Sequence, residues 1–155
     1  MTDRRAVASV PGYDDATIAA LQDVLAAEHA AVWAYTLAIA FLPADEADQA
    51  RADAEAHRKL RAALEATVSQ LGERPVAAQP AYTTPQPVVD AESAAALAEA
   101  AETDTMVAWR SVMQRTTTRD VRAGALETLA ASTVRCSRWR AAVGSAPAIP
   151  AFPGQ

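Results

Sequence analysis

Apolar and polar positions alternate with a helical period over most of this chain. The stretch "DDATIAALQDVLAAEHAAVWAYTLAIAFL", Asp14 to Leu42, has no Gly or Pro, and Pro43 ends it. Within it Ile18, Leu21, Leu25, Glu28, Val32, Tyr35, Ile39 and Leu42 follow at steps of three and four, the stripe of a core-facing helix. A second helix is predicted from about Ala44 to Leu71, with Gly72 as its stop. Its stripe is Ala50, Asp53, His57, Leu60, Leu64, Thr67 and Leu71. "ERPVAAQPAYTTPQPVV", Glu73 to Val89, carries four prolines and no helical period. Asp90 is an N-cap for a third helix over Ala91 to Arg115, with Ala98, Glu102, Thr105, Trp109 and Val112 on one face. Thr116 to Thr118 interrupt the pattern. A fourth helix then runs to about Val143 before Gly144, burying Val121, Ala125, Leu129, Ser132, Cys136 and Trp139 and leaving Glu127 solvated. The tail "SAPAIPAFPGQ" is Pro-rich and expected to lie extended on the surface.

These elements predict an all-α fold with residues 1–14 as an N-terminal segment, 15–143 as a four-helix bundle and 144–155 as the Pro-rich C-terminal tail. Each helix is roughly twice the globular mean of about 11–12 residues, so the helices must pack side by side. The first–second and third–fourth connections are short, giving antiparallel hairpins. The middle connection, fully extended, spans up to ~55 Å. A helix of 28 residues is only ~42 Å long. That loop can travel the whole bundle, which is the arrangement of ferritin-like bundles with one long crossover loop between helices 2 and 3. Tyr82, between prolines, is expected to peg the crossover down.

Three stripes contain a polar residue at mid-core: Glu28, His57 and Glu102. Glu28 precedes Tyr35 by seven and Glu102 precedes Trp109 by seven, so "EHAAVWAY" and "ETDTMVAW" read as equivalent turns of two related hairpins. His29 is expected at a boundary. A buried carboxylate requires a partner. Carboxylates and an imidazole from facing helices build ferritin-like metal centres, which take a Glu from each of two helices and Glu-x-x-His from each of the others. Here Ala54 stands three before His57, and the fourth helix has no histidine. What remains is a degenerate site: a mononuclear set of Glu28, His57 and Glu102, with Asp53 as a fourth ligand, that would take iron or manganese. The competing reading needs no metal: Arg58, Arg61 or Arg122 reaches inward, Tyr35 shares a hydrogen bond, and His57 donates and accepts within the network. Trp33, Trp109 and Trp139 read as packing, and Arg135, Arg138 and Arg140 as a solvated basic helix end, with contact to an acidic partner as the alternative.

Composition narrows the choices. There are 14 Lys+Arg against 19 Asp+Glu, a formal net charge of −5, which argues against a general nucleic-acid or membrane-surface binder. Cys136 is alone, so no internal disulfide or cysteine zinc site exists, as suits a reducing cytoplasm. "MTDRRAVASVPGYDD" lacks the apolar region of a secretory signal. No Gly-rich phosphate loop or activated nucleophile is present, and whether the chain is an enzyme stays open. "LAAEHAAVWAY", "EAHRKLRAAL", "PAYTTPQPV", the Glu102/Trp109 helix and the closing "FPG" together resemble an actinobacterial ferritin-like domain family of unknown function, from about Ala16 to Gly154. That resemblance implies the ferritin-like bundle, with Glu28, His57 and Glu102 at motif positions and Ala54 as a departure. It brings no activity or substrate. The expected function is a non-catalytic bundle, structural or partner-binding, with a homodimer through a helix face as its partner reading. The alternatives are a metal-binding oxidoreductase or metal-storage relative, and a small-ligand carrier.

Overall fold

A computed structural model describes residues 13–155. The expectations for the N-terminal segment 1–14 fall almost wholly outside the described residues. The elements are α1 (Asp15–Ala38), α2 (Ala44–Gln70), α3 (Ala91–Arg115) and α4 (Arg119–Ala142), with no strand among the described residues.

Local chemistry sets the boundaries. The Asp14 carboxylate accepts from the Thr17 amide at 2.8 Å and caps α1. Asp90 and Ser93 form a reciprocal capping box that opens α3. α2 stops at Gly72 and α4 at Gly144, whose φ values of +84° and +70° suit glycine alone. α1 ends one turn before the expected Leu42. Ala40 and Phe41 bond to carbonyls three residues back, and Pro43 becomes the N-cap residue of α2. The residue before a proline disfavours the helical region, so the helix unwinds ahead of Pro43 rather than at it.

Pairings across the bundle fix its topology. Thr17 meets Thr116, Glu28 meets Trp109 and Tyr35 meets Glu102, so α1 and α3 are antiparallel. Glu99 pairs with Arg140 and Met106 with Thr133, so α3 and α4 are antiparallel too. Along α2, Ala50 and Ala54 pack with Ala95 and Ala98, while Leu64 and Val68 pack with Trp109 and Val112. α2 and α3 are therefore parallel, and the segment joining them crosses the length of the bundle. Gln22 clamps it at Arg74 and Val76 (both 2.8 Å), and Tyr82 packs on Trp33 with ring centroids 5.7 Å apart. Together these make an all-α, ferritin-like four-helix bundle.

The crossover also corrects the place of His29. Expected at a boundary, it is buried, because the Val76 carbonyl closes over it and takes a hydrogen bond from Nε2 at 3.0 Å. The tail departs from expectation as well. It turns back over α3 rather than lying extended: Arg140 donates to the Pro147 carbonyl, and Gly154 (φ +79°) sits where a Cβ would come within 2.7 Å of the Met106 carbonyl. Among the described residues no helix is long and apolar enough to cross a membrane.

Two apolar layers close the ends of the interior, and a third buried cluster of Ala31, Ala34, Leu97 and Ala101 joins α1 to α3. Leu21, Val24, Leu25, Leu64, Val68 and Val112 close one end. Tyr35, Ala50, Ala54, Ala95, Ala98 and Trp139 close the other, where alanines let the helices approach. The polar residues lie between these layers.

Candidate functional site

Glu28 on α1, His57 on α2 and Glu102 on α3 are all fully buried and meet at mid-bundle, as their stripe positions require. His57 Nδ1 lies 2.6 Å from Glu28 Oε2, and Nε2 lies 3.0 Å from Glu102 Oε1. Ionised carboxylate oxygens only accept, so with Glu28 and Glu102 ionised both ring nitrogens donate and His57 is an imidazolium. Burial alone would lower its pKa. The hydrogen bonds and charges of Glu102 and Glu28 outweigh that and raise it from 6.5 to about 9.

The fourth helix supplies what the sequence reading gave to other arginines. Arg135 Nε donates to Glu102 Oε1 at 2.8 Å, while Nη2 is held by Ser132 Oγ at 2.8 Å. Arg58, Arg61 and Arg122 make no hydrogen bond or ion pair to the cluster: Arg58 pairs with Glu55, Arg122 with the Thr116 carbonyl, and Arg61 Nε is buried without a partner. Nor is the α4 basic run a solvated helix end. Arg135 is buried, Arg138 pairs with Asp53 and Arg140 with Glu99. Arg135 was legible in principle, since Ser132, Arg135 and Trp139 follow at steps of three and four on the buried face.

The two aromatic residues seven positions after each glutamate serve crosswise. Tyr35 of α1 donates to Glu102 of α3 at 2.7 Å, and Trp109 of α3 donates to Glu28 of α1 at 2.8 Å. The internal echo is thus a physical exchange of caps between hairpins. Burial, reinforced by the Glu102 charge, pushes the Tyr35 hydroxyl well above its ordinary range, so it remains a neutral donor. Burial would raise Glu102, but His57 and then Arg135 overcome it and hold the carboxyl below its usual range. Asp53 stands apart with Arg138 (2.9 Å), Gln49 (2.9 Å) and Trp139 (3.1 Å). Trp109 and Trp139, read as packing, are hydrogen-bond donors besides.

The donor set does not fit a metal. A ligating imidazole needs a free lone pair, and both His57 nitrogens are committed to carboxylates. A guanidinium stands against Glu102, a cation where a metal would bring its own charge. Asp53, the fourth ligand of the metal reading, is given to Arg138 and Trp139. Within the cluster Glu102 Oε2 is buried without a partner, and elsewhere among the described residues so are His29 Nδ1 and Arg61 Nε. Among the described residues no three His, Cys, Asp or Glu side chains form a metal-holding group. The cluster balances Glu28 and Glu102 against His57 and Arg135 without one.

The structure is similar to that of a conserved hypothetical protein from Mycobacterium tuberculosis, with 34% identity over 89% of this chain and 97% of that one, and a TM-score of 0.79. It is also similar to a ferritin-like, diiron-carboxylate protein from Bacillus anthracis at 13% identity, over 84% of this chain and 99% of that one, with a TM-score of 0.72, a likeness of fold alone. No curated protein matches the chain. Residues 20–155 match the family described as a domain of unknown function (DUF4439), and the chain belongs to that family.

Proposed function

We propose that this chain is a non-catalytic ferritin-like bundle in which the protein's own cations take the place of a metal centre. One observation carries the reading: both His57 nitrogens and the Arg135 guanidinium are spent on Glu28 and Glu102. The acidic protons of His57, Arg135 and Tyr35 that the cluster contains are hydrogen-bonded to Glu28, Glu102 or Ser132, and buried groups so paired serve the packing of four helices. The alternative, a metal-binding oxidoreductase or storage relative using Glu28, His57 and Glu102 with iron or manganese, draws on the unpartnered Glu102 Oε2 and on the diiron-carboxylate description of the Bacillus anthracis protein. It must first deprotonate His57 and displace Arg135.

A reducing cytoplasm suits the lone Cys136, whose thiol is buried and pushed up in pKa, chiefly by that burial. The Mycobacterium tuberculosis relative supports an actinobacterial family. The partner we propose is a second copy docked on α4, where Leu126 and Val134 are 53% and 58% exposed. Light scattering should then return the mass of a dimer.

Elemental analysis tests the central reading. Protein produced with added iron and manganese, and purified without chelator, should carry far less than one metal per chain. Stoichiometric metal that disappears in Glu28→Gln would establish the alternative instead.

A further inference from the structure

A surface groove runs between the crossover and the outer side of α3. Its larger part, about 390 Å³, is floored by Ala96, Leu97 and Ala100 and walled by Pro85. A smaller part of about 90 Å³ continues from it toward Trp33 and Tyr82. The two parts share Pro85, Leu97, Ala100 and Asp104, so Asp104 stands at their junction. The size falls within the range of small-molecule clefts, about 300–1,000 Å³.

Gln86, Ser93, Thr103 and Thr83 add uncharged polar groups to an otherwise apolar lining, and the charges are of one sign. No lysine or arginine lines it. Of its two carboxylates, Glu99 is already paired with Arg140 at 2.8 Å. Asp104 is different. It is exposed at the groove's rim, partial burial raises its carboxyl, and no donor or cation among the described residues pairs with it. Beside it, Trp33 and Tyr82 meet at an interplanar angle of 56° and both line the groove's narrow end. The Gln79 amide fixes the Tyr82 hydroxyl at 2.9 Å, and flanking prolines stiffen that wall.

We propose that this groove binds a small organic monocation, an amine carrying an aromatic or aliphatic body. The ammonium pairs with Asp104 and the body lies over Ala96, Leu97 and Ala100 or against the Trp33–Tyr82 corner. Anions of the same shape are rejected by the uncompensated carboxylate. The site is separate from the ionic core and independent of whether that core holds metal.

The probe is phenethylamine, with phenethyl alcohol and phenylacetate as neutral and anionic controls, followed by ligand-observed NMR on the full chain. Phenethylamine should bind saturably, and more tightly than either control. Asp104→Asn, a change on an exposed side chain, should weaken it by about two- to fivefold, as loss of one exposed ion pair implies, with an unchanged circular dichroism spectrum. No saturable binding, equal binding of amine and alcohol, or an Asp104→Asn variant that binds as well as wild type would each overturn the proposal.

Discussion

Arg135 carries the positive charge that Glu102 needs on the α4 side, so its loss strands a buried carboxylate. Arg135→Met should destabilise the fold by about 3 kcal/mol, the low end for removing one member of a buried pair because His57 remains. Adding Glu102→Gln should restore part of that loss. Chemical denaturation of the single and double variants reads the coupling directly. The pH dependence follows from two groups. His57 is raised in the folded state from 6.5 to about 9, so its contribution is fully present below 6.5 and is lost as pH climbs to 9. That loss is on the order of 3 kcal/mol. Glu102 is lowered, so its contribution is present above 4.5 and lost as pH falls through its folded value. Stability should be flat between about 4.5 and 6.5 and decline on the alkaline side, and His57→Gln should abolish that alkaline decline. At this scale the sequence revealed Glu28, His57 and Glu102, because a polar residue in an apolar stripe is conspicuous. It concealed Arg135, because arginine near a helix C-terminus is ordinarily solvated and its long stem lets it enter the core from the edge.

The helices themselves were legible because their ends are chemical. Asp90, Pro43, Gly72 and Gly144 act through backbone groups whose preferences are local. The crossover was legible for another reason: its length matches a helix it must run beside. The burial of His29 and the return of the tail were not, since each depends on a segment remote in sequence closing over it. Leu25 is fully buried in the end layer with Leu64 and Val68. Leu25→Ala should cost about 2–5 kcal/mol in thermal or denaturant unfolding. Gly154→Ala should act locally instead. The added methyl would meet the Met106 carbonyl at 2.7 Å, in a backbone conformation that favours glycine. Amide exchange in residues 145–155 should accelerate while global stability changes by no more than about 1 kcal/mol.

Over the whole molecule, apolar layers at both ends seal a middle layer that is ionic but balanced. Glu28, Glu102 and Asp53 face His57, Arg135 and Arg138, each helix contributing to the set. Such a layer specifies how the hairpins pair, because Tyr35 and Trp109 each cap the carboxylate of the other hairpin. It also explains why a ferritin-like topology can stand without a complete Glu-x-x-His complement: the interior charge is met by side chains. The charge balance of this layer requires a doubly protonated His57. Nitrogen NMR of histidine-labelled protein tests this, with His29→Gln to assign the two histidines. Near neutral pH His57 should show two protonated ring nitrogens in slow exchange, with the chemical shifts of an imidazolium, and should lose its proton only near pH 9. A His57 with one bare ring nitrogen at neutral pH would contradict the ionic core and restore a metal-competent ligand.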